Sequence, residues 1–140
     1  MVIFVRVLIT DMLKLPADVE RPQTSNPPEN ACEIVLEAGI QTGDLLVTKR
    51  QWGAFYATEL DQQLRRKGIK TIVLGGIATN FGVESTARAA FDQGYEIVFV
   101  SDAMAGPNAE MHYFSVQKLF PIMGRVRTTQ EILDSLKEAH

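Results

Sequence analysis

Apolar runs too short for helices alternate with stretches whose apolar residues recur every three or four positions, and this alternation predicts a β/α chain. The runs VIFVRV (2–7), LLVTK (45–49), TIVL (71–74) and EIVFVS (96–101) read as strands, and RVR (125–127) as a short edge strand. The run at 71–74, short, β-branched and without charge, suits burial on both faces of a parallel sheet. Helices are expected over 58–67, from about 81 to 93, over 109–119 up to Pro121, and from Thr128 onward. Thr58 with Asp61 and Thr128 with Glu131 have capping-box spacing, and Thr79 and Asn80 are N-cap types. A short helix over 31–38 should end at Gly39. Residues 8–30 hold four of the six prolines and are expected to run over the surface with little regular structure. The whole pattern implies one α/β domain over 1–140, a three-layer doubly wound parallel sheet of Rossmann-like type.

Composition narrows the partners. With 46% hydrophobic residues the 140-residue chain can bury a core, and a net charge of -3 gives no electrostatic case for nucleic acid or an anionic membrane. No apolar run is long enough to span a bilayer and the first residues lack a secretory pattern, so a cytoplasmic protein is expected. The one cysteine, Cys32, fits a reducing compartment. No His, Cys and carboxylate cluster has metal-site spacing, the glycines fit neither a dinucleotide fingerprint nor a P-loop, and no cofactor is expected.

Chemistry concentrates in GGIATNFGVESTA (75–87), which carries a buried strand into an amphipathic helix. The helix N-terminus then sits at the carboxyl end of the strand, where amide N–H groups favour an anion and where open α/β sheets bind ligands. Lys49 ends another strand on the same rim.

TKRQWGAFYATELDQQLRRKGI (48–69) and TIVLGGIATNFGVESTARAAFDQGYEIVFVSDAMAG (71–106), taken in order, resemble the isochorismatase-like hydrolase superfamily, which includes nicotinamidases, N-carbamoyl amidohydrolases and isochorismatases. The resemblance implies a site for a small-molecule substrate, built in relatives from an aspartate, a lysine and a nucleophilic cysteine. It places Lys49 at the lysine and Gly82 at the cysteine. Glycine supplies no thiolate, so an enzyme-sulfur intermediate at this position is excluded, as in the isochorismatase branch, where an aspartic acid protonates an enol ether instead. The resemblance also implies a cis peptide between Ile77 and Ala78 and substrate contacts along Ile77, Ala78, Thr79 and Asn80. Trp52, Phe55 and Tyr56 either shape the pocket or simply pack. Asp102 either reaches the rim or caps the following loop, and His112 reads as a partly buried, hydrogen-bonded histidine.

The family's aspartate ends its first strand, and the resemblance sets residues 2–7 on the second. Asp11 therefore does not match it, and neither does Asp18; a strand and helix upstream are expected to be lacking, leaving the domain N-terminally incomplete. Two hydrogen-bonding edges would then lie bare and favour homo-oligomers, which the resemblance also implies. The alternative to a cysteine-free hydrolase is a non-catalytic ligand-binding or scaffold member of the same family.

Overall fold

Five of the apolar runs become strands, all paired in parallel, in a computed structural model that describes residues 1–19 and 27–138. β1 (Ile3–Val7) lies beside β2 (Leu45–Lys49), with Ile3 opposite Leu45 and Val7 opposite Lys49. β3 (Thr71–Ile77), β4 (Glu96–Ala105) and β5 (Arg125–Arg127) form a second sheet in that order. The parallel α/β class is the expected one. One core crosses both sheets: Val47 of β2 and Phe99 of β4 are fully buried in it with Phe120. The Phe99 and Phe120 rings stack at 4.1 Å between centroids.

β3 and β4 extend beyond their apolar runs because their pairing slips. Leu74 faces Phe99, but Gly76 faces Met104. Gly75 sits at the slip, where a Cβ would lie 2.8 Å from the Ala103 carbonyl oxygen, so the two backbones approach closely only with glycine there.

The helices correct several expectations. α1 (Leu60–Arg66) starts later than expected, because the capping box at Thr58 is only half made. The Leu60 amide donates to the Thr58 hydroxyl, while the Asp61 carboxylate accepts from the Tyr95 hydroxyl at 2.7 Å and from Arg65 at 3.2 Å. The expected helix over 31–38 reduces to one 3-10 turn, Leu36–Ala38, whose Leu36 is exposed: with no face to bury, so short a segment does not nucleate. Another 3-10 turn, Ile9–Asp11, interrupts the surface segment; part of that reading, 20–26, lies outside the described residues. α2 (Glu84–Asp92) follows a π turn, Thr79–Val83. Pro121 does not stop the next helix: α3 (Ala109–Phe114) passes through a π turn, Ser115–Leu119, into α4 (Phe120–Met123), with the proline in the first turn of α4. The capping box at Thr128 is complete, the Thr128 amide donating to Glu131 at 2.7 Å and the Glu131 amide to the Thr128 hydroxyl at 3.3 Å, and it opens α5 (Thr129–Glu138).

Burial and the hydrogen bond to Asp61 push the Tyr95 phenol up to about 12. A raised pKa stabilises the fold fully below the ordinary value of 10, and that contribution disappears as pH climbs through 12. Tyr95→Phe is expected to cost about 1 kcal/mol at neutral pH and to flatten this alkaline decline. Urea unfolding of both proteins at pH 7, 10 and 12 measures it; parallel curves would show that the bond does not couple to folding.

Candidate active site

The turn after β3 is the centre of the site. Ile77 is exposed, the Ile77–Ala78 peptide is cis, and the Ala78 carbonyl accepts from the Phe81 and Val83 amides at 3.1 Å each. Thr79 and Asn80 do not cap the helix with their side chains, because the π turn already begins at Thr79. Instead both reach toward α3. The fully buried Thr79 hydroxyl lies 2.7 Å from His112 Nδ1, and the Asn80 amide donates to the Met111 sulfur at 3.4 Å. Asn80 Oδ1 is buried and has no hydrogen-bond partner among the described residues. The side chains of two residues expected to hold substrate are thus spent on docking a helix.

Lys49 and Gly82 do come together. Lys49 is partly buried at the end of β2, its ammonium donating to the Trp52 carbonyl at 2.5 Å. Desolvation holds its pKa below the usual lysine range. A Cβ on Gly82 would lie 3.0 Å from Lys49 Nζ and 3.4 Å from the Trp52 oxygen. The ammonium therefore occupies the space beside Gly82 where a side chain would begin. Among the described residues Lys49 enters no ion pair; Asp11, close in sequence to the same rim, pairs with Arg50 at 3.0 Å.

A buried threonine, which the sequence pattern shows only as a member of the apolar stripe of α2, clamps the two segments. The Ala54 amide donates to the Thr86 hydroxyl at 3.0 Å, and that hydroxyl donates to the Gly82 carbonyl at 2.7 Å. Its signal was a polar residue four positions past Gly82 on the apolar face of α2. Trp52 adds an edge-to-face contact with Phe81 at 4.9 Å, which puts its ring beside the turn. Phe55 is corrected to a core residue, 9% exposed and packed 5.8 Å from the Tyr95 ring. Tyr56 is exposed at the surface.

The remaining candidates sort by their partners. Asp102 caps neither the rim nor the loop that follows it; it accepts from the Thr129 amide at 2.7 Å and hydroxyl at 2.8 Å, which lowers its pKa and ties β4 to the start of α5. Cys32 is a free, partly buried thiol in the turn preceding Leu36–Ala38. No group of three or more His, Cys, Asp or Glu among the described residues is placed to hold a metal, and no helix among them is long and apolar enough to cross a membrane.

A parallel α/β fold with a lysine and a tight, cis-containing turn at the carboxyl ends of its strands defines the class of the isochorismatase-like hydrolases. The isochorismatase domain model matches residues 1–131, and the chain belongs to that family. It is 52% identical over 129 residues to the isochorismatase family protein YwoC of Bacillus subtilis, covering 86% of this chain and 68% of that protein. It is 36% identical over 107 residues to the ureidoacrylate amidohydrolase RutB of Acinetobacter baylyi, covering 75% of this chain and 43% of that protein. Among solved structures, an isochorismatase family protein from Burkholderia thailandensis superposes with a TM-score of 0.89 at 41% identity, over 96% of this chain and 73% of that one.

Proposed function

We propose that this chain carries the site of a small-molecule hydrolase that works without an enzyme thiol. The observation that carries the reading is the 3.0 Å approach of Lys49 Nζ to the empty side-chain position of Gly82, at the mouth of the turn opening α2. A desolvated ammonium beside a helix N-terminus stabilises negative charge developing on a substrate oxygen more strongly than it could in water. The acid–base carboxylate that completes such a reaction comes from outside the described residues. Water, not sulfur, is the attacking group, so no acyl-enzyme forms at Gly82. An amidohydrolase among the relatives and the family's own name make amides and enol ethers the substrates to screen.

The test is release of ammonia from amides and cleavage of isochorismate, with and without thiol alkylation. Turnover that survives alkylation is expected. Alkylation-sensitive turnover would move the chemistry to Cys32. Silence on every substrate, even from a form extended ahead of residue 1, would favour the scaffold reading, which the absence of an ion pair to Lys49 among the described residues supports.

Gly82→Ala probes the same spot. Its methyl group would meet the ammonium at 3.0 Å and the Trp52 oxygen at 3.4 Å, so the lysine must move. Turnover is expected to fall roughly ten- to hundred-fold through misplacement of the charge, with the thermal midpoint little changed. Full activity in this variant would place the chemistry elsewhere.

A further inference from the structure

Two separate groups of residues grip the turn that carries Gly82. The first is the one already described, Lys49 beside the glycine and the Thr86 hydroxyl bonded to the Gly82 carbonyl. The second belongs to α3. The three atoms nearest the missing side chain of Gly82 come from Lys49, Trp52 and Ile77, so α3 acts on this spot without touching it.

Its hold is built from the helix start. Asn108 caps α3, accepting from the Met111 amide at 2.9 Å, and the His112 amide donates to the Asn108 carbonyl at 3.2 Å. This first turn delivers His112 Nδ1 to the Thr79 hydroxyl at 2.7 Å. Thr79 is fully buried, and among the described residues that nitrogen is its hydroxyl's partner. With a neutral imidazole protonated at Nε2, Thr79 donates and Nδ1 accepts. No water can replace the nitrogen at a buried site, so its removal leaves the hydroxyl unsatisfied. Gly106, just past β4, lets the helix come this close: a Cβ there would lie 3.2 Å from His112 Cβ, 3.3 Å from Asn80 Oδ1 and 3.4 Å from the His112 nitrogen. The turn passes the grip on as one piece. The Ala78 carbonyl accepts from the Phe81 and Val83 amides, tying the residue before Thr79 to the neighbours of Gly82 on both sides. A displaced Thr79 therefore displaces Gly82.

We propose that His112 is a positioning residue for the site: acting through Thr79, and seated by Gly106, it fixes the distance between Gly82 and the Lys49 ammonium. The kinetic consequence rests on the hydrolase reading, while the geometric one stands without it.

NMR of lysine labelled with 13C at Cε tests the geometry, the Lys49 signal being assigned by its loss in Lys49→Met. In His112→Leu and in Thr79→Val the turn loosens and water reaches the ammonium, so the Lys49 titration midpoint is expected to climb toward the ordinary 10.5. The double variant is expected to match the singles, because all three remove the same bond. His112→Asn keeps an amide near the place of Nδ1 and is expected to hold the wild-type midpoint. Gly106→Ala removes no bonding group, yet its methyl pushes α3 back and is expected to move the midpoint in the same direction as His112→Leu. On a substrate found by the screen, His112→Leu and Thr79→Val are expected to lower kcat roughly ten- to hundred-fold, with KM little changed. A midpoint unmoved in His112→Leu and Gly106→Ala, with only the melting temperature lowered, would overturn the proposal, as would a His112→Asn protein that behaves like His112→Leu. A midpoint that moves while turnover stays intact would uphold the positioning and count against the hydrolase reading.

Discussion

Lys49→Met is expected to lower kcat/KM by roughly 10² to 10³-fold while leaving the folded protein at least as stable as wild type. Methionine keeps most of the side-chain volume and removes the charge beside Gly82. The stability arm has a definite sign. Burial depresses the Lys49 pKa, so the folded state holds the proton less well than the unfolded chain does. The cost of the buried charge is complete below the depressed pKa, eases as pH rises, and is gone above the ordinary value of 10.5. Methionine should therefore be the more stable protein at neutral pH, with its advantage vanishing above that value. Kinetics on any substrate found by the screen, with urea melts at pH 7 and pH 11, reads both arms. Undiminished turnover would remove Lys49 from the mechanism, and a methionine protein less stable at pH 7 would show that the ammonium contributes more through its bond to the Trp52 carbonyl than its burial costs.

A version of the protein carrying one further parallel strand and helix ahead of residue 1 is expected to be more stable by about 6 to 12 kcal/mol, taking four strand side chains at about 1.5 to 3 kcal/mol each. That gain is comparable with the net stability of a whole domain. β1 pairs only with β2 and β3 only with β4 among the described residues, so each sheet ends in an open edge. Val5, Val73 and Ile77 on those two strands are 38%, 55% and 85% exposed. A strand seated between these edges would cover both. Chemical melts of the two forms decide the matter. Equal unfolding free energies would mean that the two edges need no filler.

Local sequence signals match the structure wherever the partners are themselves local. Thr128 and Glu131 are three residues apart and cap each other, and the parallel strands follow their apolar runs. Where a distant group competed, the same signal misled: Asp61 has capping spacing from Thr58, but Tyr95, far along the chain, takes its carboxylate. The turn at 75–87 was legible as a site because a strand, a helix start and family-matched residues converge there. Its internal geometry was not, since π turns have no sequence period of their own and the direction of Thr79 and Asn80 depends on α3 packing behind them. Phe55 and Trp52 looked equivalent for the same reason: three residues apart, one faces the core and the other the turn.

The Thr86 hydroxyl holds the Ala54 amide on one side and the Gly82 carbonyl on the other, and Trp52, whose carbonyl anchors the ammonium, is two residues from Ala54. Valine there would match the shape and sever both bonds, leaving every ionisable group in place. The spacing of the charged group from the turn is thus governed by a neutral, buried hydroxyl, and drift at this one quiet position would retune the pocket without any visible change in its ionisable groups.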